Sequence, residues 1–216
     1  MRQLLRSLLI ASISIIASVP IPAFAQGAVG EVTKVTGTAK LERAGKEMDV
    51  VAAMPVEIHD KLRTAAKAQL TMQFRDGSKL ELSESGSFTI DQYTIDPSKS
   101  VAASIGLWAN HLRAIVNVGL GGAPNFEVRT PNAVAAVRGT EFETAYIADR
   151  PCPEDRSCMR YTTVEVFKGL VNVANTADPA ATVQVNEGYE TTVACESPAT
   201  PPAPLGMGEM GSPGYH

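Results

Sequence analysis

The three cysteines are the side chains of this sequence with the most reactive chemistry. Cys152 and Cys158 lie in one short loop, and Cys195 lies further along the chain. Closing a short loop costs little chain entropy, so we expect a disulfide between Cys152 and Cys158 that fixes this loop. The alternative is a disulfide from Cys195 to one of these two residues, with the other left free, and the sequence alone leaves both pairings open. The spacing does not fit paired C-x-x-C ligands, so we expect no metal site and no cofactor.

Acid–base chemistry has one candidate, a pair of glutamates. Glu141 and Glu143 alternate with Phe142, so in a strand both carboxylates would share one face, about 7 Å apart. A glycosidase-like site could use such a pair, although carboxylates in this pattern more often form the solvent-exposed face of a strand. His111, which lies near Trp108 in the sequence, is expected in a hairpin turn. The sequence lacks G-x-S-x-G, H-E-x-x-H and a phosphate-binding loop, and we predict that the protein is not an enzyme.

The composition excludes several other classes of protein. The 216 residues are 44% hydrophobic with a net charge of -4, so the chain is not disordered as a whole and can form one full core. Because 19 Lys and Arg face 23 Asp and Glu, and aromatic residues make up only 6%, we expect no nucleic-acid partner. The 17 glycines and 14 prolines imply many turns, which favours an all-β fold.

The first 25 residues have the pattern of a cleaved export signal. Arg2 and Arg6 precede a short apolar run, and the small-x-small sequence at 23–25 is typical of a signal-peptidase site. The apolar run is interrupted by serines and is shorter than the roughly 20 residues that a membrane span needs. We therefore expect residues 1–25 to be removed, no stable membrane span to remain, and the mature chain to be periplasmic or secreted.

In the rest of the chain apolar residues alternate with polar ones, which is typical of half-buried strands. The clearest case is the segment 68–74, which is followed by a second alternating segment. A three-residue loop at 75–77 would pair Met72 with Leu80 and keep the apolar side chains on one face. The third loop position requires a left-handed backbone, which Gly77 supplies, so we predict a hairpin with a bulge there.

Two further hairpins are predicted at glycines that have the same flanking pattern, V-x4-G-x-[AV]-x-[LV]. The first would turn at Gly37 and pair Val32 with Leu41. The second would turn at Gly169 in the same way. The similarity of the two segments suggests that similar hairpins open and close the domain.

Two segments have less regular patterns. Between 98 and 118 the apolar residues fit either a helix face or two short strands around Asn110 and His111, and we favour the strands. From Ser197 onward the chain contains five prolines and four glycines, so we expect a disordered tail at 197–216. The folded domain is thus expected to span residues 27–196.

An ordered set of short motifs between residues 30 and 193 resembles the FecR domain family. The motifs are, in order, G-x-V-x-x-V-x-G from Gly30, L-x-T from Leu62, F-x-D-G-S-x-L-x-L from Phe74, T-P-x-A from Thr130, V-R-G-T-x-F from Val137, and V-x-V-x-x-G-x-V from Val164. The most specific part is T-P-x-A followed by V-R-G-T-x-F. The family pattern has glycine near Ala53 and at Asn110, where asparagine still tolerates a left-handed backbone.

The resemblance implies one all-β domain of stacked hairpins in a solenoid-like or sandwich-like arrangement, which lies outside the cytoplasm and is used for protein contacts. In the regulators that gave the family its name, a cytoplasmic anti-sigma segment and a membrane span precede this domain. Here a signal peptide stands in that place. We therefore expect a stand-alone exported form that does not control a cytoplasmic sigma factor directly.

The family motif supplies the candidate contact residues, which are Arg138, Gly139, Thr140 and Phe142. In the functional interpretation, Arg138 binds a carboxylate or backbone carbonyl groups of a partner. In the structural interpretation, which we favour, Gly139 bends the backbone into the next strand and Arg138 fixes a neighbouring loop.

These observations predict a non-enzymatic periplasmic module that binds an envelope protein, not yet identified, in envelope signalling or assembly. Short strands with exposed edges suit binding by strand addition. The alternative is a glycan- or cell-wall-binding module. Such a module would need exposed aromatic side chains in a groove, and the chain has only one tryptophan and five tyrosines.

Overall fold

The computed structural model describes residues 27–96, 100–117, 125–153 and 155–206, which form seventeen strands. The strands are β1 (Ala28–Thr36), β2 (Ala39–Arg43), β3 (Lys46–Asp49), β4 (Pro55–Glu57), β5 (Lys61–Thr64), β6 (Gln69–Phe74), β7 (Lys79–Leu82), β8 (Ser87–Asp96), β9 (Ser100–Ile115), β10 (Asn125–Arg129), β11 (Ala133–Val137), β12 (Glu141–Ala148), β13 (Arg160–Lys168), β14 (Leu170–Asn175), β15 (Asp178–Asn186), β16 (Tyr189–Ala194) and β17 (Ala203–Pro204). The described residues include no helix, and thus no helix able to cross a membrane. The all-β prediction is confirmed.

The strands form two sheets that share β9. In sheet A the order is β4-β1-β6-β7-β9-β12-β13-β16-β17. In sheet B the order is β3-β2-β5-β8-β9-β10-β11-β14-β15. Neighbouring strands are antiparallel except β9 and β10, which are parallel. In both sheets, β9 therefore separates the strands that precede it in the chain from those that follow it.

The long strand β9 changes sheet at Asn110. Its first part, up to Ala109, pairs with β8 in sheet B. Its last part lies in sheet A, where it pairs with β12 from Asn110 and with β7 from Leu112. Asn110 lies at the bend with a positive φ of 57°, and its side-chain amide donates to the carbonyl oxygens of Glu84 and Ser85 at 3.1 and 3.0 Å. The prediction of strands was right, but one bent strand replaces the two short strands and the turn that we expected.

The two sheets enclose one core of apolar side chains. Many strands bury alternate residues: in β6, Leu70, Met72 and Phe74 are buried, and the polar residues between them are not. Phe74 from sheet A stacks on Tyr93 from sheet B at 4.8 Å between ring centroids, and it meets Phe126 edge-on at 6.2 Å. Around this aromatic group the two sheets face each other as in a sandwich, which is one of the two arrangements that the family resemblance implies.

The hairpin predicted at 75–77 has the expected register. Met72 is opposite Leu80, and Leu70 is opposite Leu82. Gly77 has a φ of 83°, as the third position of the loop requires. This register keeps all four apolar side chains in the core.

The two hairpins predicted at Gly37 and Gly169 are wrong. The chain crosses from sheet A to sheet B at both glycines, because β1 and β13 pair only within sheet A while β2 and β14 pair within sheet B. Both glycines have a positive φ, 74° and 89°. An alternating strand buries the same face whichever strand pairs with it, so the pattern alone does not distinguish a hairpin turn from a crossing between sheets.

The disulfide predicted between Cys152 and Cys158 is also wrong. Cys158 bonds to Cys195, and Cys152 is a buried free thiol. Cys158 lies just before β13 and Cys195 just after β16, and the pairing of these two strands brings the cysteines together. The loop that contains Cys152 is held by a backbone hydrogen bond instead, from the Cys152 N–H to the Cys158 carbonyl oxygen at 2.8 Å.

The predicted tail is ordered as far as the structure describes it, to Gly206. Ala199 packs in the core at 8% exposure, and the Thr191 hydroxyl donates to the Thr200 carbonyl oxygen at 2.7 Å. Residues 203–204 then pair with β16 as an edge strand. The expected export signal at 1–25, the tail beyond 206 and residues 98–99 lie outside the described residues.

The bend of β9 makes a testable prediction about Asn110. Replacing Asn110 by Ala removes two hydrogen bonds and leaves at positive φ a residue that adopts this backbone less readily than asparagine does. We expect this change to lower the free energy of unfolding by about 2 kcal/mol. Asn110→Gly removes only the hydrogen bonds and should cost about half as much in chemical denaturation. An equal cost for both variants would show that positive φ is not the constraint at this position.

The disulfide makes a second prediction. Cys195→Ser should lower the free energy of unfolding by about 3–4 kcal/mol, because the bond closes a loop with a sequence separation of 37. Cys152→Ala leaves the disulfide intact and should have a smaller effect. Peptide mapping without reduction is expected to recover the Cys158–Cys195 peptide pair, and a Cys152–Cys158 pair would contradict the structure.

Candidate functional site

The sequence Arg138-Gly139-Thr140 forms a crossing from sheet B to sheet A. β11 ends at Val137 in sheet B, and β12 begins at Glu141 in sheet A. Gly139 has a φ of 62°, so it turns the chain within three residues. The bend that the sequence assigns to Gly139 is therefore present.

Thr140 holds this crossing against two other parts of the molecule. Its side chain is buried, and its hydroxyl donates to the carbonyl oxygen of Leu170 at 3.0 Å. Its own carbonyl oxygen accepts from the N–H of Val116 at 2.9 Å, just after β9. A Cβ at Gly169 would lie 3.2 Å from the Thr140 hydroxyl oxygen, so the two crossings pack with little space between them.

The remaining residues of the motif point in opposite directions. Phe142 is fully buried in the core. Arg138 is exposed, and its guanidinium forms no hydrogen bond or ion pair with any residue that the structure describes. Arg138 therefore does not fix a described loop.

The outer face of sheet A contains a shallow depression of about 300 Å³. A row of side chains in register crosses it, one from each of five adjacent strands: Lys34, Thr71, Glu81, Arg113 and Glu143. The depression is lined by no tryptophan, tyrosine or phenylalanine. It therefore lacks the aromatic surface that the glycan-binding alternative needs.

The two glutamates considered as an acid–base pair bind different side chains, Glu143 in this depression and Glu141 beside it. Glu141 pairs with Arg113, and Glu143 accepts from the His111 ring at 2.7 Å between Nδ1 and Oε1. The hydrogen bond to the Glu143 carboxylate raises the pKa of His111 above its ordinary value. The Ser83 hydroxyl accepts from the backbone N–H of His111 and not from the imidazole ring of His111. The geometry is that of a paired polar surface.

We expected His111 in a hairpin turn, and this prediction is wrong. His111 also does not share a site with Trp108. His111 lies in the sheet A part of β9, beyond the bend. Trp108 lies in the sheet B part, is half exposed, and donates its ring N–H to the Thr89 hydroxyl at 3.1 Å. The change of sheet at Asn110 separates them.

Sequence analysis missed one buried ion pair. Asp60 is fully buried, and the Arg43 guanidinium binds both of its carboxylate oxygens at 2.7 and 2.6 Å. The same guanidinium also binds Glu57 at 2.7 Å. These contacts fix the connection between β4 and β5 onto the end of β2, so we interpret the cluster as structural. No local pattern marks it, because its members come together only through the pairing of β2 with β5.

Within the described ranges, no three His, Cys, Asp or Glu side chains form a group that could hold a metal ion.

Comparison with known proteins agrees with the motifs. The sequence model of the FecR family, described as FecR protein, matches residues 60–172, which is more than half of the chain. The chain therefore belongs to the FecR family. Its matched part begins at the buried Asp60 and ends in β14, so it includes β9 and the Arg138 corner.

Two solved structures of a protein proposed to be an anti-sigma factor from Parabacteroides distasonis ATCC 8503 are similar to this chain. Their TM-scores are 0.48 and 0.49 at 16% sequence identity, and each alignment covers 67% of this chain. The chain spans 59% of the length of the structures it matches. No curated protein matches the chain.

The corner makes a testable prediction about the structural role of the Thr140 hydroxyl. Thr140→Val removes the hydroxyl that binds Leu170, so we expect the free energy of unfolding to fall by about 1 kcal/mol. The matched control is Thr144→Val in the same segment. The Thr144 hydroxyl is buried and finds no hydrogen-bond partner among the described residues, so its removal should not destabilise the fold. Equal losses in urea denaturation would contradict the role given to Thr140.

Proposed function

We propose that this FecR-family protein is exported and acts in envelope signalling by binding another envelope protein, without catalysing a reaction. Two general observations support the proposal. The family takes its name from a regulator whose corresponding domain lies outside the cytoplasm. The Cys158–Cys195 disulfide suits an oxidising compartment, which agrees with an export signal at residues 1–25.

The observation that carries the proposal is the state of Arg138. It is exposed, no described residue pairs with it, and a buried threonine and a glycine fix the corner on which it lies. A rigid corner loses little backbone freedom when its arginine binds, and the planar guanidinium suits a carboxylate or a pair of carbonyl groups. Gly139, Thr140 and Phe142 then position Arg138 and do not touch the partner.

The acid pair supports the non-enzymatic part of the proposal. Glu141 and Glu143 are each held by a different side chain, Arg113 and His111, on an open face of the sheet. A glycosidase requires one carboxylate free to act as a base or nucleophile and the other to act as an acid.

The proposal is tested by capture of partners from an envelope extract with the full chain as bait. We expect one envelope protein to be enriched, and Arg138→Ala to weaken its binding at least about tenfold. Arg150→Ala is the matched control, because it makes the same change at another exposed arginine. Both variants should melt at the wild-type temperature, since neither side chain supports the fold.

Two outcomes would contradict the proposal. Equal binding by Arg138→Ala and wild type would place the contact surface elsewhere. Retention of peptidoglycan or polysaccharide, with no protein, would favour the glycan-binding alternative.

A further inference from the structure

Four of the described strands have a hydrogen-bonded neighbour on one side only, and three of these edges are protected. An open edge can pair with another chain, so natural proteins shorten it, charge it or place proline in it. β3 consists mainly of charged residues, β4 has three residues and begins with Pro55, and β17 has two residues and ends with Pro204. These three edges resist further pairing.

The fourth edge strand, β15, has such protection only at its first two residues. It pairs only with β14 and extends over nine residues, Asp178–Asn186. Its charged residue and its proline stand at the first two positions, so residues 180–186 contain neither. A long uncharged edge favours association unless something covers it.

The backbone of β15 is oriented for pairing at this edge. The Glu187 N–H donates to the Gly169 carbonyl oxygen at 3.0 Å, in register with the β14–β15 pair. In an antiparallel pair, the N–H and C=O groups of every second residue face the same neighbouring strand. Because those of Glu187 face β14, the N–H and C=O groups of Val185 and Val183 face β14 as well. The N–H and C=O groups of Gln184 and Asn186 therefore face the open edge.

We infer that the occupant of this edge is a second copy of the chain, paired antiparallel through β15 about a two-fold axis at Gln184. In this register Gln184 meets Gln184 of the second copy in a hydrogen-bonded pair. Thr182 meets Asn186 in another hydrogen-bonded pair, and Val183 meets Val185 between them. A two-fold interface uses the same surface on both copies, so it requires a self-complementary strand.

The side chains of β15 meet this requirement on both faces. Thr182, Gln184 and Asn186 are exposed on the outer face, where the two amides can form cross-strand hydrogen bonds. The Thr182 hydroxyl donates to the Pro179 carbonyl oxygen at 3.2 Å and can still accept from Asn186 of the second copy. Val185 is buried and Val183 is partly buried against the core, so the facing valines would extend the apolar layer across the axis. No pair in residues 182–186 brings like charges together, although the chain is acidic overall.

This inference goes beyond the proposed function and does not depend on it, because β15 and Arg138 are different surfaces. Arg138→Ala is expected to leave the association unchanged. Failure of partner capture and failure of dimer formation are therefore separate results.

The first experiment measures the molar mass of the full chain by light scattering over a range of concentrations. The shared surface is small, so we expect a dimer that forms as the concentration rises toward millimolar. Gln184→Lys places two ammonium groups next to each other on the axis and should keep the chain monomeric. Gln69→Lys makes the same change at an exposed position on a strand paired on both sides, and it should behave like wild type. A wild-type chain that stays monomeric at millimolar concentration would overturn the inference, as would association of Gln184→Lys equal to that of wild type.

The second experiment tests the register by crosslinking in a Cys152→Ser background. Two copies of Gln184→Cys would meet across the axis with Cα atoms about 5.5 Å apart, which suits a disulfide. Two copies of Thr182→Cys would be about 14 Å apart and should not crosslink, because they lie four residues apart along the paired strands. Equal crosslinking of both variants would overturn the register. Crosslinking of Gln184→Cys to a different envelope protein would show that an extended segment of that protein occupies the edge, and would overturn the inference.

Discussion

The hydrogen bonding of β9 in both sheets is the constraint on which the rest of this structure depends. The eight preceding strands lie on one side of β9 and the eight following strands on the other, in both sheets. The two halves can share one core only if β9 leaves sheet B and enters sheet A at the right residue. Asn110 makes this possible, because its backbone adopts positive φ and its side chain binds two carbonyl groups of the loop before β8. A residue with neither property would destabilise this bend.

The same principle explains the family motif. Each time the chain crosses between the sheets, it must turn within a few residues and leave no buried polar group unpaired. At the Arg138 corner, Gly139 supplies the turn and Thr140 satisfies the Leu170 carbonyl group, while Gly169 leaves room for both. Folding thus explains Gly139 and Thr140 of the motif. Arg138 forms no hydrogen bond or ion pair with a described residue that would give it the same role.

Local features of the fold could be predicted from the sequence, and features set by distant pairing could not. The hairpin at 75–77 was predictable because Gly77 and the alternation on both sides allow one register. The crossings at Gly37 and Gly169 could not be predicted. An alternating strand has the same pattern whether the next strand in the chain stays in the same sheet or lies in the opposite sheet. The Cys158–Cys195 disulfide and the Arg43–Asp60 pair likewise depend on strand pairings between distant segments. The family pattern has glycine near Ala53 and at Asn110, and this difference could have indicated a left-handed backbone at both positions. Both residues have positive φ in this structure.

The central claim is that one continuous strand belongs to both sheets, and it is tested most directly by cross-strand nuclear Overhauser effects in solution. The account predicts contacts from Gly106 to Thr89 of β8 and Arg129 of β10, and contacts from Leu112 to Leu82 of β7 and Thr144 of β12. Both sets should be present in the same protein, with slow amide exchange on either side of Asn110. A hairpin pattern within residues 100–115, with contacts between its two halves, would contradict the account.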